Sequence, residues 1–251
     1  MSFAASIIIP TLNEEEYLPV LLASLKDVKS PLDIIVVDGN SEDKTREVVE
    51  RFLAEFVGES SLQFVQASAR GISMQRNMGA TLAKHGVLIF CDADIAFTSA
   101  ESYQKLVSEF VERKYVVSAP VMVPMEPGLN FKIMFRFAYY MQRLLLLFRQ
   151  PYFAGSCLLT TKETFIKVGG FDTTVLLGED VDYSLKASKV GLCGLTEVPI
   201  KVSARRIIKY GYWWLLKELP NLLQFPFTGK IKEPERLFYP FGEFGDVVKK
   251  K

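Results

Sequence analysis

The sequence has little of three things that often point to function: histidine, cysteine and an excess of charge of one sign. It contains one histidine and three cysteines, and its 30 basic residues nearly balance its 29 acidic residues. Cys91, Cys157 and Cys193 are odd in number and far apart, which argues against a disulfide framework or a C-x-x-C metal site. We therefore expect reduced core cysteines. The balanced charge gives no support to a nucleic-acid partner.

Long apolar runs are also missing. No stretch of about 18 apolar residues, the length that a membrane-spanning helix needs, is free of charge. No basic segment precedes the short apolar run 7–9, which predicts a strand there and not a signal peptide. We expect a cytoplasmic protein. Its 251 residues, 49% of them hydrophobic, suffice for one globular domain over 1–210, with a helical insertion near 130–150, and an aromatic and basic helical appendage over 211–251.

Short β-branched runs alternate with amphipathic segments, which is typical of an α/β fold with a mostly parallel sheet between helices. The predicted strands are 6–9, 33–37, 62–65, 87–91 and 116–123. The predicted helices are 14–25, 43–56, 73–84, 99–113, 130–149 and 181–189. Ser41 and Ser99 are the expected N-caps of the second and fourth helices. Ligands of such sheets bind at the carboxyl ends of the strands.

Polar residues cluster after three of these strands, and we expect them to form one site. They are Pro10, Thr11, Asn13 and Glu14 after the first strand, Asp38 and Asn40 after the second, and Asp92, Ala93 and Asp94 after the fourth. The carboxylates of Asp92 and Asp94 suit Mg²⁺ or Mn²⁺, which would also bind diphosphate oxygens. An isolated D-x-D pair would more often only cap the next helix. The neighbouring strand ends favour the metal site.

Asp38 ends a buried strand and can accept a hydrogen bond from a nucleobase imide, since a buried carboxylate without a partner is costly. A simple Asx-type turn explains it equally well. Arg70, Arg76 and Asn77 precede the fourth strand, where Arg76 and Asn77 can reach nucleotide or sugar hydroxyls. Taken singly, each arginine is more often a solvated surface residue.

Glu179 and Asp180 begin a predicted helix. Displacement at an anomeric carbon needs a carboxylate to remove the proton of the attacking hydroxyl, and this acidic pair could supply it. The same acids could simply favour the N-terminus of the helix. Gly155 belongs to a second passage of small residues, 153–156, upstream of this pair.

Taken together and in order, these motifs resemble the family 2 glycosyltransferases of GT-A fold over about residues 4–210. The segments that carry the resemblance are Ile8-Ile9-Pro10-Thr11-Leu12-Asn13-Glu14-Glu15, Val36-Val37-Asp38-Gly39-Asn40-Ser41-x-Asp43, Arg76-Asn77-x-Gly79, Asp92-Ala93-Asp94, and Gly169-Gly170-Phe171-Asp172 through Glu179-Asp180. The resemblance implies an inverting displacement from a UDP or GDP sugar to a hydroxyl acceptor. It implies residue roles as well: Pro10, Thr11, Glu14 and Asp38 around the nucleoside, Asp92 at the ribose or metal, Asp94 on the metal, Asp180 as base, and Glu179 at the acceptor or supporting the base.

The sequence departs from that family at the segment that closes over the diphosphate. Many GT-A enzymes have a histidine or a Q-x-x-R-W segment there, whereas the one histidine, His85, falls at a helix end and is expected to be exposed. Arg205 and Arg206 stand in the expected place, and their guanidinium groups could clamp the diphosphate. The missing Q-x-x-R-W segment argues against a processive polysaccharide synthase.

The segment 130–150 predicts contact with an anionic membrane surface, because a basic stripe runs along a very apolar helix. The stripe contains Lys132, Arg136, Tyr139, Arg143 and Gln150. Trp213 and Trp214 stand beside lysines, as in interfacial segments, so a lipid-linked or membrane-presented acceptor is a hypothesis. Packing in a homo-oligomer is the alternative.

Two other functions stay open at this stage. A membrane-bound scaffold could retain nucleotide-sugar binding without turnover. Against it, the four acids that turnover needs are present: Asp38, Asp92, Asp94 and Asp180. A sugar nucleotidyltransferase would need a glycine-rich, arginine-bearing loop after the first strand, and 10–16 is not such a loop.

Overall fold

The computed structural model describes residues 3–153, 155–175 and 178–211. The predicted C-terminal appendage, with Trp213 and Trp214, lies outside the described residues from 212 onward. Among the helices that are described, none combines the length and the apolar character needed to cross a bilayer.

One mixed sheet of eight strands forms the centre of the described chain, in the order β3-β2-β1-β4-β7-β6-β8-β5. Its strands are β1 Ala5–Thr11, β2 Leu32–Asp38, β3 Ser61–Gln66, β4 Val87–Cys91, β5 Ile95–Phe97, β6 Val117–Pro124, β7 Cys157–Thr161 and β8 Cys193–Val202. The strands β3, β2, β1 and β4 are mutually parallel, so that β1, β2 and β4 end at the same edge. β7 runs antiparallel to both β4 and β6, and β6 pairs in parallel with β8.

Helices cover the sheet. They are α1 Leu18–Leu25, α2 Thr45–Phe52, α3 Ile72–Leu82, α4 Ala100–Glu112, α5 Leu129–Leu147, α6 Lys162–Val168, α7 Glu179–Ala187 and α8 Arg205–Tyr210, with a 3₁₀ turn at Leu53–Glu55. The five predicted strands are confirmed as β1–β4 and β6, whereas β5, β7 and β8 were not predicted. The N-cap prediction for Ser99 is confirmed, since its side chain accepts from the N–H of Ser102.

The starts of the first two helices differ from the prediction, for reasons in the loops before them. The first helix begins at Leu18 and not at residue 14, because the backbone N–H groups of Glu14 and Glu15 donate to Thr45 and Asp43. The prediction of Ser41 as a cap is wrong. Its hydroxyl binds Asp38 and its side chain accepts from the N–H of Asn13, and α2 begins only at Thr45.

The helix α3 packs closely on the sheet through Gly79. A Cβ atom at this position would collide with Ile8 of β1 and would lie 3.2 Å from Val37 of β2. Only glycine permits this approach. The close packing fixes the N-terminal turns of α3, which carry Gln75 and Arg76, beside the strand ends.

The cysteines are reduced. Cys91 of β4 and Cys157 of β7 are direct cross-strand neighbours in the core, with their sulfur atoms 3.8 Å apart. Cys193 is half-buried, so its prediction as a core residue is only partly right. Burial raises the pKa of Cys193 to about 12 and raises that of Cys91 as well. His85 is half-buried after α3, not exposed as expected, because its backbone N–H donates to the buried Ser6.

Candidate active site

The ends of β1 and β2 form a satisfied polar junction. The Thr11 hydroxyl donates to Asp38 Oδ1 at 3.0 Å, and the Ser41 N–H donates to Asp38 Oδ2 at 2.8 Å. The carboxylate of Asp38 is thus stabilised by its own chain, as the turn interpretation predicts. The nucleobase contact proposed for Pro10, Thr11 and Asp38 stays a prediction.

The rim of this junction is built from two loops that hold each other. Asn13 and Asn40 both adopt left-handed backbone conformations, with φ of 57° and 66°. Asn13 Oδ1 accepts from the N–H of Glu42 at 2.9 Å. Exposed Arg70 donates to the carbonyl of Asn40 at 3.4 Å and to Glu42 at 3.1 Å. Arg70 therefore lies beside the predicted nucleotide site, where its contacts with Asn40 and Glu42 hold the loop after β2 from its outer side.

Gln75 is a site residue that the sequence analysis missed. Its side chain is fully buried, and its Nε2 donates to the carbonyl oxygens of Thr11 at 2.8 Å and Val37 at 2.7 Å. It thereby ties the ends of β1 and β2 to α3. A signal was present in the sequence, because Gln75 lies four residues before Gly79 and hence on the helix face that packs against the sheet.

A buried arginine on α3 connects the end of β4 with the start of α7. The side chain of Arg76 is 1% exposed; it donates to Glu179 Oε1 at 2.7 Å and to Asp92 Oδ1 at 3.0 Å. It also donates to the Gly155 carbonyl at 3.1 Å. Burial alone would lower the pKa of Arg76, but Glu179, Asp92 and Asp180 together raise it, so the guanidinium stays charged. We call Arg76, Asp92, Glu179 and Asp180 the Arg76 cluster.

Asp180 has the electrostatic environment of a proton acceptor. Burial raises its pKa to about 7, and the neighbouring Glu179 adds to the rise, while Arg76 opposes it. Its carboxyl lies against Gly155, where an added Cβ would stand 2.8 Å from Asp180 Oδ2 and 2.9 Å from Arg76 Nη2. A glycine is needed at 155 for this packing. A carboxyl group that titrates near neutral pH is well matched to general-base chemistry.

Asn77 holds the loop that leads to α7. Its side-chain amide donates to the carbonyl of Phe171 at 2.8 Å and its Oδ1 accepts from the N–H of the same residue at 2.9 Å. The Phe171 ring lies 5.2 Å from the Arg76 guanidinium. Both ends of the Asn77 amide are thus used within the chain, and its predicted sugar contact stays a prediction.

A second buried arginine, at the start of α8, holds the other acids. Arg205 binds Glu14 through two nitrogen–oxygen contacts of 2.8 and 2.6 Å, and its Nε lies 2.8 Å from Asp94 Oδ2. The Tyr17 ring lies 4.5 Å from its guanidinium. We call Arg205, Glu14, Asp94 and Tyr17 the Arg205 cluster. Burial raises the pKa of Glu14 and of Asp94, and Arg205 opposes both shifts.

Glu126, which the sequence analysis did not single out, positions the start of α8. It accepts from the Ser203 hydroxyl at 2.6 Å and from the N–H of Ala204 at 2.7 Å. The half-buried Arg206 follows Arg205, and its charge lowers the pKa of Asp94 against the effect of burial. The two arginines predicted to face the diphosphate therefore lie beside Asp94.

Asp92 and Asp94 fit a divalent ion that shares its coordination with a diphosphate. They are hard oxygen donors, their side chains are 22% and 9% exposed, and Ala93 between them is buried. No group of three metal-binding side chains occurs within the described ranges. Mg²⁺ is commonly bound by one or two carboxylates together with waters and substrate phosphates, which matches two acids. Arg76 holds Asp92 Oδ1 and Arg205 holds Asp94 Oδ2, so an ion would share these carboxylates with the arginines or displace them.

The mostly parallel sheet flanked by helices has the architecture of the GT-A glycosyltransferases. The chain belongs to glycosyl transferase family 2, whose sequence model matches residues 6–169. The resemblance predicted from the motifs is thereby confirmed.

Relatives and solved structures agree with this assignment. The chain is 30% identical over 110 residues to the 4,4'-diaponeurosporenoate glycosyltransferase of Staphylococcus haemolyticus, a match that covers 44% of this chain and 29% of that protein. Its fold is similar to that of the mannosyltransferase PcManGT from Pyrobaculum calidifontis in complex with GDP-Man and Mn²⁺, with a TM-score of 0.70, 22% identity, and coverage of 86% of this chain and 61% of that one. It is also similar to S. aureus TarS in complex with UDP-GlcNAc, with a TM-score of 0.61, 19% identity, and coverage of 82% and 59%.

Proposed function

We propose that this chain transfers a sugar from a UDP or GDP donor to a hydroxyl acceptor, with inversion at the anomeric carbon. The observation that carries the proposal is the Arg76 cluster, in which one buried guanidinium joins Asp92 of the D-x-D segment to the acidic start of α7. The proposed catalytic domain is 1–210. The proposed donor class follows the UDP-GlcNAc and GDP-Man complexes of the two structural neighbours.

Asp180 is the proposed base. The acceptor oxygen forms a bond to the anomeric carbon while the bond from that carbon to the diphosphate oxygen breaks, and the hydroxyl proton passes to the Asp180 carboxylate. Glu179, whose Oε1 is held by Arg76 at 2.7 Å, is proposed to support this base or to contact the acceptor. A carboxylate with a pKa of about 7 accepts this proton readily at neutral pH.

The proposed cofactor is Mg²⁺ or Mn²⁺, held by Asp92 and Asp94. When bound, the ion would neutralise negative charge on the departing diphosphate. The chain's own cations contribute in the same region. Arg76 keeps Asp92 in place, and Arg205 and Arg206 lie beside Asp94, from where they can exchange partners and bind diphosphate oxygens.

The test is consumption of a sugar donor. UDP-GlcNAc and GDP-Man are incubated with the full chain and Mn²⁺ over a panel of hydroxyl acceptors, and release of nucleoside diphosphate is followed. We expect turnover with one donor, its loss in Asp94→Ala, and a product of opposite anomeric configuration by NMR. Retained anomeric configuration would contradict the inverting mechanism. Absence of turnover over the whole panel would favour the nucleotide-sugar-binding scaffold instead.

The acceptor is proposed to be lipid-linked or presented at a membrane. One relative is named for 4,4'-diaponeurosporenoate, and the surface of α5 supports a membrane contact on independent grounds. The proposed setting is peripheral attachment to the cytoplasmic face of a membrane.

A further inference from the structure

The long helix α5 is apolar on its outward side as well as on the side that packs against the protein. An ordinary surface helix buries its apolar stripe and exposes its polar one, but the buried residue of α5 is Gln142. The outward side chains are large and apolar, and several are more than half exposed. We call them the outer face of α5: Leu129 (73% exposed), Ile133 (60%), Phe137 (66%), Tyr140 (52%), Leu144 (46%) and Leu147 (80%).

These six residues form one continuous stripe. Their spacings of three and four residues place them on a single side of the helix over its 19-residue length. Three exposed cations, Lys132, Arg136 and Arg143, run along one edge of the stripe. No acidic residue occurs between Glu126 and Glu163. The outer face is therefore apolar and bordered by positive charge alone.

The outer face begins next to the candidate active site. Glu126 lies three residues before α5 and binds Ser203 and Ala204, directly before Arg205. On its other side α5 is anchored to the body of the protein through Phe135 and Leu146, which pack against buried hydrophobic side chains of the core. A flat partner lying on α5 would thus lie beside the Arg205 cluster.

Charge decides which partner fits. In a second copy the same face would bring like charges together, because α5 offers no acid to its cations. A bilayer with anionic headgroups complements both features, since it accepts apolar side chains below the headgroups and basic side chains at their level. We propose that the outer face of α5 docks on an anionic lipid bilayer. Only the consequence, an acceptor delivered from the membrane, rests on the proposed function.

Flotation of the full chain with vesicles tests the docking. Vesicles of phosphatidylglycerol and phosphatidylcholine in equal amounts are compared with vesicles of phosphatidylcholine alone. We expect binding to the first, and at least a tenfold loss of affinity in the double variant Ile133→Asp with Phe137→Asp, because both apolar side chains then stay in water. The matched control is Val57→Asp with Ile166→Asp, two residues that are each 70% exposed elsewhere on the surface.

The cations are tested separately. Arg136→Gln with Arg143→Gln should weaken binding about 25-fold, since each basic side chain near an anionic surface contributes about fivefold. Binding of the unmodified chain should also fall as salt rises. Binding that is insensitive to both changes would overturn the anionic-surface proposal.

Donor hydrolysis without vesicles separates this proposal from the proposed function. The α5 variants should hydrolyse a soluble sugar donor as the unmodified chain does, whereas failure of the proposed function would leave no hydrolysis to compare. The docking proposal is overturned if the Ile133/Phe137 variant floats like the unmodified chain, or if the control variant loses as much. It is equally overturned if the unmodified chain does not float and sedimentation analysis instead shows it to be a dimer, while the Ile133/Phe137 variant is a monomer.

Discussion

Two buried arginines hold the acids of the candidate site, and they differ in how firmly the fold holds them. Arg76 belongs to α3, which Gly79 anchors against β1 and β2, and its side chain is 1% exposed. Arg205 begins the six-residue helix α8, and its side chain is 9% exposed. Each arginine joins two carboxylates from distant parts of the chain.

The difference teaches which contacts can change during a reaction cycle. The partners of Arg76 come from the end of β4 and the start of α7, and Arg76 itself packs closely against Gly155 and Phe171. Each cluster contains one proposed metal ligand, Asp92 or Asp94, but Arg205 is carried by a helix of only six residues and is less deeply buried than Arg76. We infer that the Arg76 cluster is a fixed framework and that the Arg205 cluster exchanges partners.

The largest expected effect is on the base in the fixed cluster. Asp180→Asn should lower the rate of sugar transfer by about 10³-fold, because general-base catalysis contributes about 10²–10⁴-fold. Donor affinity, measured by calorimetry with Mn²⁺, should change little. The control is Asp182→Asn in the same helical turn, since Asp182 is paired with Lys186 at 2.6 Å and takes no part in the cluster. An equal loss of rate in both variants would contradict the assignment of the base.

Removing each arginine should destabilise the protein by a different amount. Arg76→Met leaves two acids without their cation and should lower the free energy of unfolding by about 3–5 kcal/mol. Arg205→Met should cost less, because burial already raises the pKa of Glu14 and the carboxyl can be neutralised by a proton near neutral pH. Urea denaturation at pH 7 measures both. A larger loss in Arg205→Met would reverse the comparison.

Mn²⁺ binding should distinguish exchange from fixed pairing. Arg205→Met frees Asp94 from a charge-assisted contact worth about 1.5–3 kcal/mol, so the affinity of the protein for Mn²⁺, measured without nucleotide, should rise by about tenfold or more. Tyr17→Phe keeps the aromatic ring and serves as the control. Calorimetric titration gives both affinities. Unchanged or weaker Mn²⁺ binding in Arg205→Met would show that the arginine supports the ion and does not compete with it.

The pH dependence of sugar transfer should follow the protonation of Asp180 and not that of Glu14, although burial raises the pKa of both carboxyl groups to about 7. Below pH 7 the base becomes protonated, so kcat/KM should fall about tenfold per pH unit and level off above about pH 8. In Glu14→Gln the midpoint should stay in place. A displaced midpoint would assign the titration to the Arg205 cluster.

Since the raised pKa means that folded Asp180 binds its proton more tightly than the unfolded chain does, its contribution to stability is lost as the pH rises through about 7.

The sequence predicted the half of the fold in which parallel strands alternate regularly with helices. Buried parallel strands such as 33–37 read as continuous β-branched runs, and they were found within one or two residues. In β8 the burial alternates along the strand, but Gly194 and Pro199 interrupt the pattern that would have predicted it. β5 has only three residues, which is too short for a periodic signal.

The candidate site was predicted as a set of residues, not as a set of contacts. Strand ends and local motifs were enough to select Asp92, Asp94 and Asp180, because the carboxyl ends of parallel strands share one edge. The pairing of Arg205 with Glu14 joins residues 191 positions apart, and no local pattern encodes it. The roles predicted for Arg205 and Arg206 as diphosphate clamps stay predictions that depend on such an exchange of partners.

The state of the three cysteines has a practical consequence for labelling. Alkylating reagents attack the thiolate, and burial raises the pKa of Cys193, the one thiol with accessible surface, to about 12. Cys91 and Cys157 face each other in the core. A new cysteine on the solvent side of α5 should therefore react selectively at pH 7 in the otherwise unmodified sequence, so that a fluorescent reporter of bilayer depth can be placed there without removing any native thiol.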